Sequence, residues 1–202
     1  MSAFLGPIHT WLYKKIKFQD QMTCEIIRKA EEMGYVQNLE DQIDKRFGAL
    51  EQGDLADIID ESNIHGWLQE RVSLVEKRLA YTVMILLYGH EERNEFIRNT
   101  CFEFGKKHSA PAEITVAQAY KLLEDLLLNG MPCDMVNRVE IEEEDRILWS
   151  QTVDIHEKYW EMTQGNVADF YELRSALIEG LFEGTDVTFT DLGGWQYQIA
   201  MR

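Results

Sequence analysis

Two short segments hold the residue types best suited to chemistry. Ile8-His-Thr-Trp-Leu12 is echoed by Ile64-His-Gly-Trp-Leu68, in a chain with only 5 histidines and 5 tryptophans. His9 follows Pro7 by two residues, as His65 follows Asn63. Proline suits the first position of a helix and asparagine suits its cap, so both histidines fall in a first helical turn. The positive end of the helix dipole lies there. It disfavours an imidazolium and leaves a neutral ring able to accept a proton or bind a ligand. The matched contexts predict that His9 and His65 approach one another. Trp11 and Trp67 point away from their own histidine and are candidate pocket walls.

A third histidine stands in Val153-Asp-Ile-His-Glu-Lys-Tyr-Trp160. If a strand runs that far, Asp154 and His156 share a face, and the carboxylate can fix the imidazole tautomer. Tyr159 and Trp160 add apolar wall with a polar tip. The candidate ligand-binding residues are therefore His9, Trp11, His65, Trp67, Asp154, His156 and Trp160. If His9, His65 and His156 converge, they form a candidate mononuclear site for a transition metal. Neither Cys-x-x-Cys nor His-Glu-x-x-His spacing occurs. The one nucleophilic arrangement places Cys133, in Met-Pro-Cys-Asp, against His156 as base with Asp154 as orienter. Each feature also has a plain structural reading: a core histidine bonded to a carboxylate, a loop cysteine, a tryptophan packed in the core.

The elements that must position these residues follow from periodicity and punctuation. Ile8, Trp11, Leu12, Ile16, Gln19, Met22 and Ile26 recur at helical spacing from Pro7 to about Met33, and Gly34 stops the helix. Asn38 to Glu61 is a weaker helical region, interrupted by Gly48 and Gly53. A second long helix runs from the Asn63 cap to Tyr88–Gly89, and a third covers Glu91 to Lys107. Ser109-Ala-Pro-Ala-Glu-Ile-Thr115 reads as a linker with Thr115 as the next cap, before a helix over Val116 to Asn129. The period then shortens to two. Val136 to Glu142 and Ile147 to Ile155 read as a hairpin turning at the acidic run Glu142–Asp145. Phe170 to Phe182 is helical again, and Val187–Thr190 with Trp195–Ile199 form a second hairpin around Gly193-Gly194. The expected fold is α+β: a mostly helical N-terminal half, then helix, hairpin, helix, hairpin with an antiparallel sheet. A boundary near Pro111 separates residues 1–110 from 111–202, and the two regions can share one core.

Composition bounds the function. Among 202 residues, 20 Lys and Arg face 36 Asp and Glu, a net charge of −16 that argues against nucleic acid and anionic membrane as partners. Three cysteines form no even framework, which points to a reducing compartment. The N-terminus lacks the basic region of a secretory signal, and the most apolar run, Ala80–Tyr88, is about half of what spans a bilayer. A soluble cytoplasmic protein is expected.

The segment Tyr171–Ile199, with Glu179-Gly180, the strand Val187–Thr190, Gly193-Gly194 and the last strand Trp195–Ile199, resembles the final part of 4-vinyl-reductase-type domains. The chain lacks the cysteine those domains often carry in the last strand. The resemblance implies a binding or sensor module for small, often apolar ligands, sometimes as a homodimer, and transfers no catalytic residue. The leading expectation is a module that binds a small molecule or metal ion in a His- and Trp-lined pocket. The alternatives are a metal-dependent or Cys/His hydrolase and an acidic protein-interaction module.

Overall fold

The computed structural model describes residues 5–202. Helix α1 (Pro7–Glu32) opens with Pro7 in its first turn, where a missing N–H costs nothing. It ends as Gly34 turns left-handed at φ 73° and the Tyr35 N–H donates to the Ala30 carbonyl. The weak helical region resolves into α2 (Leu39–Phe47) and the single turn α3 (Leu55–Ile58). Asn63 caps α4 (Ile64–Leu87) by accepting the Gly66 N–H at 3.2 Å. A 3₁₀ turn over Glu91–Arg93 leads into α5 (Asn94–Lys107). Thr115 and Gln118 exchange reciprocal capping bonds at the start of α6 (Val116–Leu126).

Strands β1 (Asn137–Glu142) and β2 (Arg146–Gln151) form the first hairpin. Two helices follow, α7 (Glu157–Met162) and α8 (Val167–Leu181), and then the second hairpin of β3 (Val187–Gly193) and β4 (Gln196–Met201). The hairpins join through β2 and β4 into one antiparallel sheet of order β1-β2-β4-β3. The fold is α+β, with eight α-helices among the described residues, mainly in the N-terminal half. One expectation needs correcting. The first hairpin's return strand ends at Gln151 instead of Ile155, because Asp154 Oδ1 accepts the His156 and Glu157 N–H groups at 2.8 and 2.9 Å and starts α7.

Period-two burial sets the sheet's inner face. Ile147 and Trp149 on β2 pair with Ile199 and Tyr197 on β4, and all four are buried. The main core joins this face to Phe18, Met22 and Ile26 of α1, Leu79 and Val83 of α4, and to α5, α6 and α8. One core therefore spans both halves of the chain. Its tightest crossing is α5 on α8, where glycines remove the side chains. A Cβ on Gly105 would lie 2.2 Å from the Leu177 carbonyl oxygen, and one on Gly180 would lie 2.1 Å from that of Phe102. A second core lies between the first halves of α1 and α4, around Leu12, Tyr13, Ile16, Trp67 and Leu68. No helix among the described residues is long and apolar enough to cross a membrane.

Candidate functional site

The structure brings two of the three histidines together. His9 Nε2 and His65 Nε2 lie 3.3 Å apart, joining the first turns of α1 and α4. The Gly6 N–H donates to His9 Nδ1 at 2.9 Å. That nitrogen holds the lone pair, the proton of the neutral ring sits on Nε2, and His65 Nε2 accepts it. Burial, and then the neighbouring His65, lower the His9 pKa. This agrees with the preference of helix N-termini for a neutral ring. Both His9 nitrogens are thus engaged, which leaves the ring no free lone pair for a metal. No group of three or more His, Cys, Asp or Glu side chains among the described residues is arranged to hold a metal ion.

His156 lies elsewhere. It is fully buried, its Nδ1 is 3.1 Å from Glu76 Oε2, and its ring stacks on Phe170 at 3.8 Å. Glu76 lies about 16 Å beyond His65 along α4, at 1.5 Å rise per residue. The three histidines therefore do not share one site. Glu76 Oε1 accepts from Gln19 Nε2 at 3.1 Å, so Gln19, Glu76 and His156 form a buried polar chain from α1 through α4 to α7. Asp154 serves the backbone at the start of α7 and not the imidazole, which corrects its expected role as orienter. Cys133 is exposed in a 3₁₀ turn, and His156 Nε2 has no hydrogen-bond partner, so no thiol–imidazole pair forms. Trp67 packs on Tyr13 in the second core and Trp160 is fully buried; both are walls of the interior.

Trp11 is the exception. With Lys15, Glu124, Asn129 and Asn137 it lines a cavity of about 120 Å³ between α1, α6 and the turn before β1. Asp125 Oδ1 accepts the Trp11 indole N–H at 2.8 Å and holds the ring. Lys15 Nζ sits 4.0 Å above that ring. Only 4 % of Lys15 is exposed, yet its ammonium makes no hydrogen bond or ion pair with the described residues. Burial pushes the Lys15 pKa down to about 8; Glu124 opposes this and the Arg174 charge adds to it. Glu124 is itself engaged, accepting from Asn137 Nδ2 at 2.9 Å.

Arg174, on α8, is the second buried cation. It is 8 % exposed, and its Nη1 has no hydrogen-bond partner. Burial lowers its pKa, and the partners that pull the other way are Tyr197, Tyr171, Glu124 and Glu76, in that order. Arginine keeps its proton in proteins, so the guanidinium remains a charge in a place that solvates it poorly. It borders a narrow apolar slot of about 20 Å³, together with Gln19, Phe18 and Phe170. Water-sized space there suits a single solvent molecule.

Sequence reasoning missed Lys15 and Arg174, though a signal was present. Lys15 lies within the stripe Trp11, Leu12, Ile16 and Gln19, and Arg174 lies between Phe170, Leu173 and Leu177. A charge on an apolar stripe must find a partner, a ligand or a route to water. No protein-family model, curated protein or solved structure matches the chain.

Proposed function

We propose that the chain is a small-molecule-binding module whose ligand is a small organic acid, seated in the Trp11–Lys15–Glu124 cavity. The observation that carries this reading is the pair of buried residues Lys15 and Arg174, neither of which makes an ion pair among the described residues, with Arg174 Nη1 lacking any hydrogen-bond partner. Buried charges in proteins are paired or they bind something. A carboxylate beside Lys15 supplies the missing negative charge, and the Arg174 field behind it strengthens the attraction. The cavity of about 120 Å³ is well above the roughly 10–15 Å³ that one water needs, so it has room for a small organic acid.

Calorimetric titration with acetate, lactate and pyruvate tests the reading. Saturable binding is expected, lost in Lys15→Met and weakened in Arg174→Met. Equal affinity in Lys15→Met, or no binding of any of the three acids at millimolar concentration, overturns it.

A further inference from the structure

We infer that Lys15 is a reactive amine that captures the carbonyl group of a 2-oxo acid as a reversible imine. This rests on the organic-acid reading of the same cavity and deepens it. Three features of the site support the chemistry. Lys15 Nζ is held over the Trp11 ring at 4.0 Å, in a residue that lines the cavity, with no carboxylate among the described residues bound to it. An amine that is free of an ion pair can present its lone pair once it loses a proton. Arg174 places a second positive charge in electrostatic reach, which favours the neutral amine and attracts the acid group of the ligand. Among the described residues Glu124 is the one carboxylate lining the cavity, and a carboxylate in the same cavity can carry a proton.

The reaction balances without an oxidant or reductant. The Nζ lone pair adds to the carbonyl carbon, and the carbonyl π pair moves to oxygen. The new ammonium proton passes by way of Glu124 to that oxygen, giving a neutral carbinolamine. Loss of a second proton from nitrogen and departure of the oxygen as water leave the C=N bond. One amine and one carbonyl thus become one imine and one water. Burial leaves Lys15 titrating near 8. At pH 7 such an amine is unprotonated about 300 times more often than an ordinary lysine.

The test is reductive trapping of the full chain with pyruvate and cyanoborohydride at pH 7, read by peptide mass spectrometry. Lys14, the exposed neighbour on α1, is the internal control, so no variant need fold. The expected result is a reduced adduct on Lys15 at least about tenfold above Lys14, suppressed by excess acetate. Modification of Lys15 at or below the level of Lys14 overturns the inference. If pyruvate binds by calorimetry but leaves no adduct, the imine falls and the organic-acid site stands. If propanal labels Lys15 selectively while no acid binds, the organic-acid reading falls and the capture of a 2-oxo acid falls with it.

Discussion

Arg78 and Arg174 are the two most instructive residues to set side by side. Both are arginines on the inward faces of helices, 2 % and 8 % exposed. Around Arg78 the chain has assembled two carboxylates and a backbone carbonyl. Its Nε donates to Asp20 Oδ1 at 3.0 Å, and its Nη1 donates to the Gly48 carbonyl at 2.8 Å and also to Asp44. Around Arg174 it has placed leucines, phenylalanines and phenols, with an orphaned Nη1 and no ion pair among the described residues. The Arg78 pKa rises with its hydrogen-bonded carboxylates despite burial, and that of Arg174 falls with burial. One cluster is a structural knot tying α4 to α1 and α2. The other is a charge kept in the interior at a cost in stability, and the proposed organic-acid site rests on it. Burial of a charge thus says little by itself, and the partners decide its meaning.

The comparison is open to breaking by mutation. Arg78→Met should be the most damaging change, lowering stability by about 3–5 kcal/mol because it strands the buried carboxylate of Asp20. Denaturant unfolding reads this directly, and a loss under about 1 kcal/mol would dissolve the contrast. A second test needs no ligand. Lys15 titrates at about 8 in the folded chain and at 10.5 by its ordinary value. Between those values the unfolded chain binds the proton and the folded chain does not, so stability rises with pH across that window. The gain should reach at most about 3 kcal/mol. Lys15→Met should lack it, so the stability difference between the two proteins should change by that amount between pH 8 and 10.5.

Arg174→Met should have the opposite sign to Arg78→Met. Relieving an unpaired buried charge should raise stability by about 1–2 kcal/mol while weakening acetate binding. A loss of stability comparable to that of Arg78→Met would mark Arg174 as structural and remove the basis of the organic-acid site. The smallest effect is expected at the His9–His65 contact. His65→Ala should lower stability by about 1 kcal/mol or less near pH 8, as befits an exposed hydrogen bond. The His9 pKa is lowered in the folded state, so this contribution is present above its ordinary value of 6.5 and lost as pH falls through the folded value. The wild-type and variant curves should therefore meet in mild acid. A persistent gap there would mean that the rings contribute by packing and not by the neutral clasp.

Much of this architecture was legible in the amino-acid sequence, for local reasons. Pro7, Asn63 and Thr115 act within one turn of where they stand, and Gly34 ends α1 by its own backbone freedom. Runs of strand-forming residues around the acidic turn and around Gly193-Gly194 placed both hairpins, because strand and turn preferences are local. The pairing of His9 with His65 was also legible, since two like contexts at two helix starts become neighbours when the helices pack side by side. The second half of the first hairpin was misread for an equally local reason. Asp154 offers its side chain to the backbone two and three residues on, and this ends the extended run before the hydrophobic pattern does.

The tertiary structure alone decided which polar groups meet a partner. Nothing in the types of Arg78 and Arg174 distinguishes them. The difference lies in Asp20 and Asp44, which sit on other helices and reach Arg78 only because α1, α2 and α4 pack together. The same holds for His156, whose partner Glu76 is 80 residues away in sequence, and for Lys15, whose open space exists only once α6 and the turn before β1 close over α1. Hydrogen bonds and buried charges act over a few ångströms. Sequence spacing specifies such distances within one turn of helix or one strand pair, and beyond that only the packing of the whole core does.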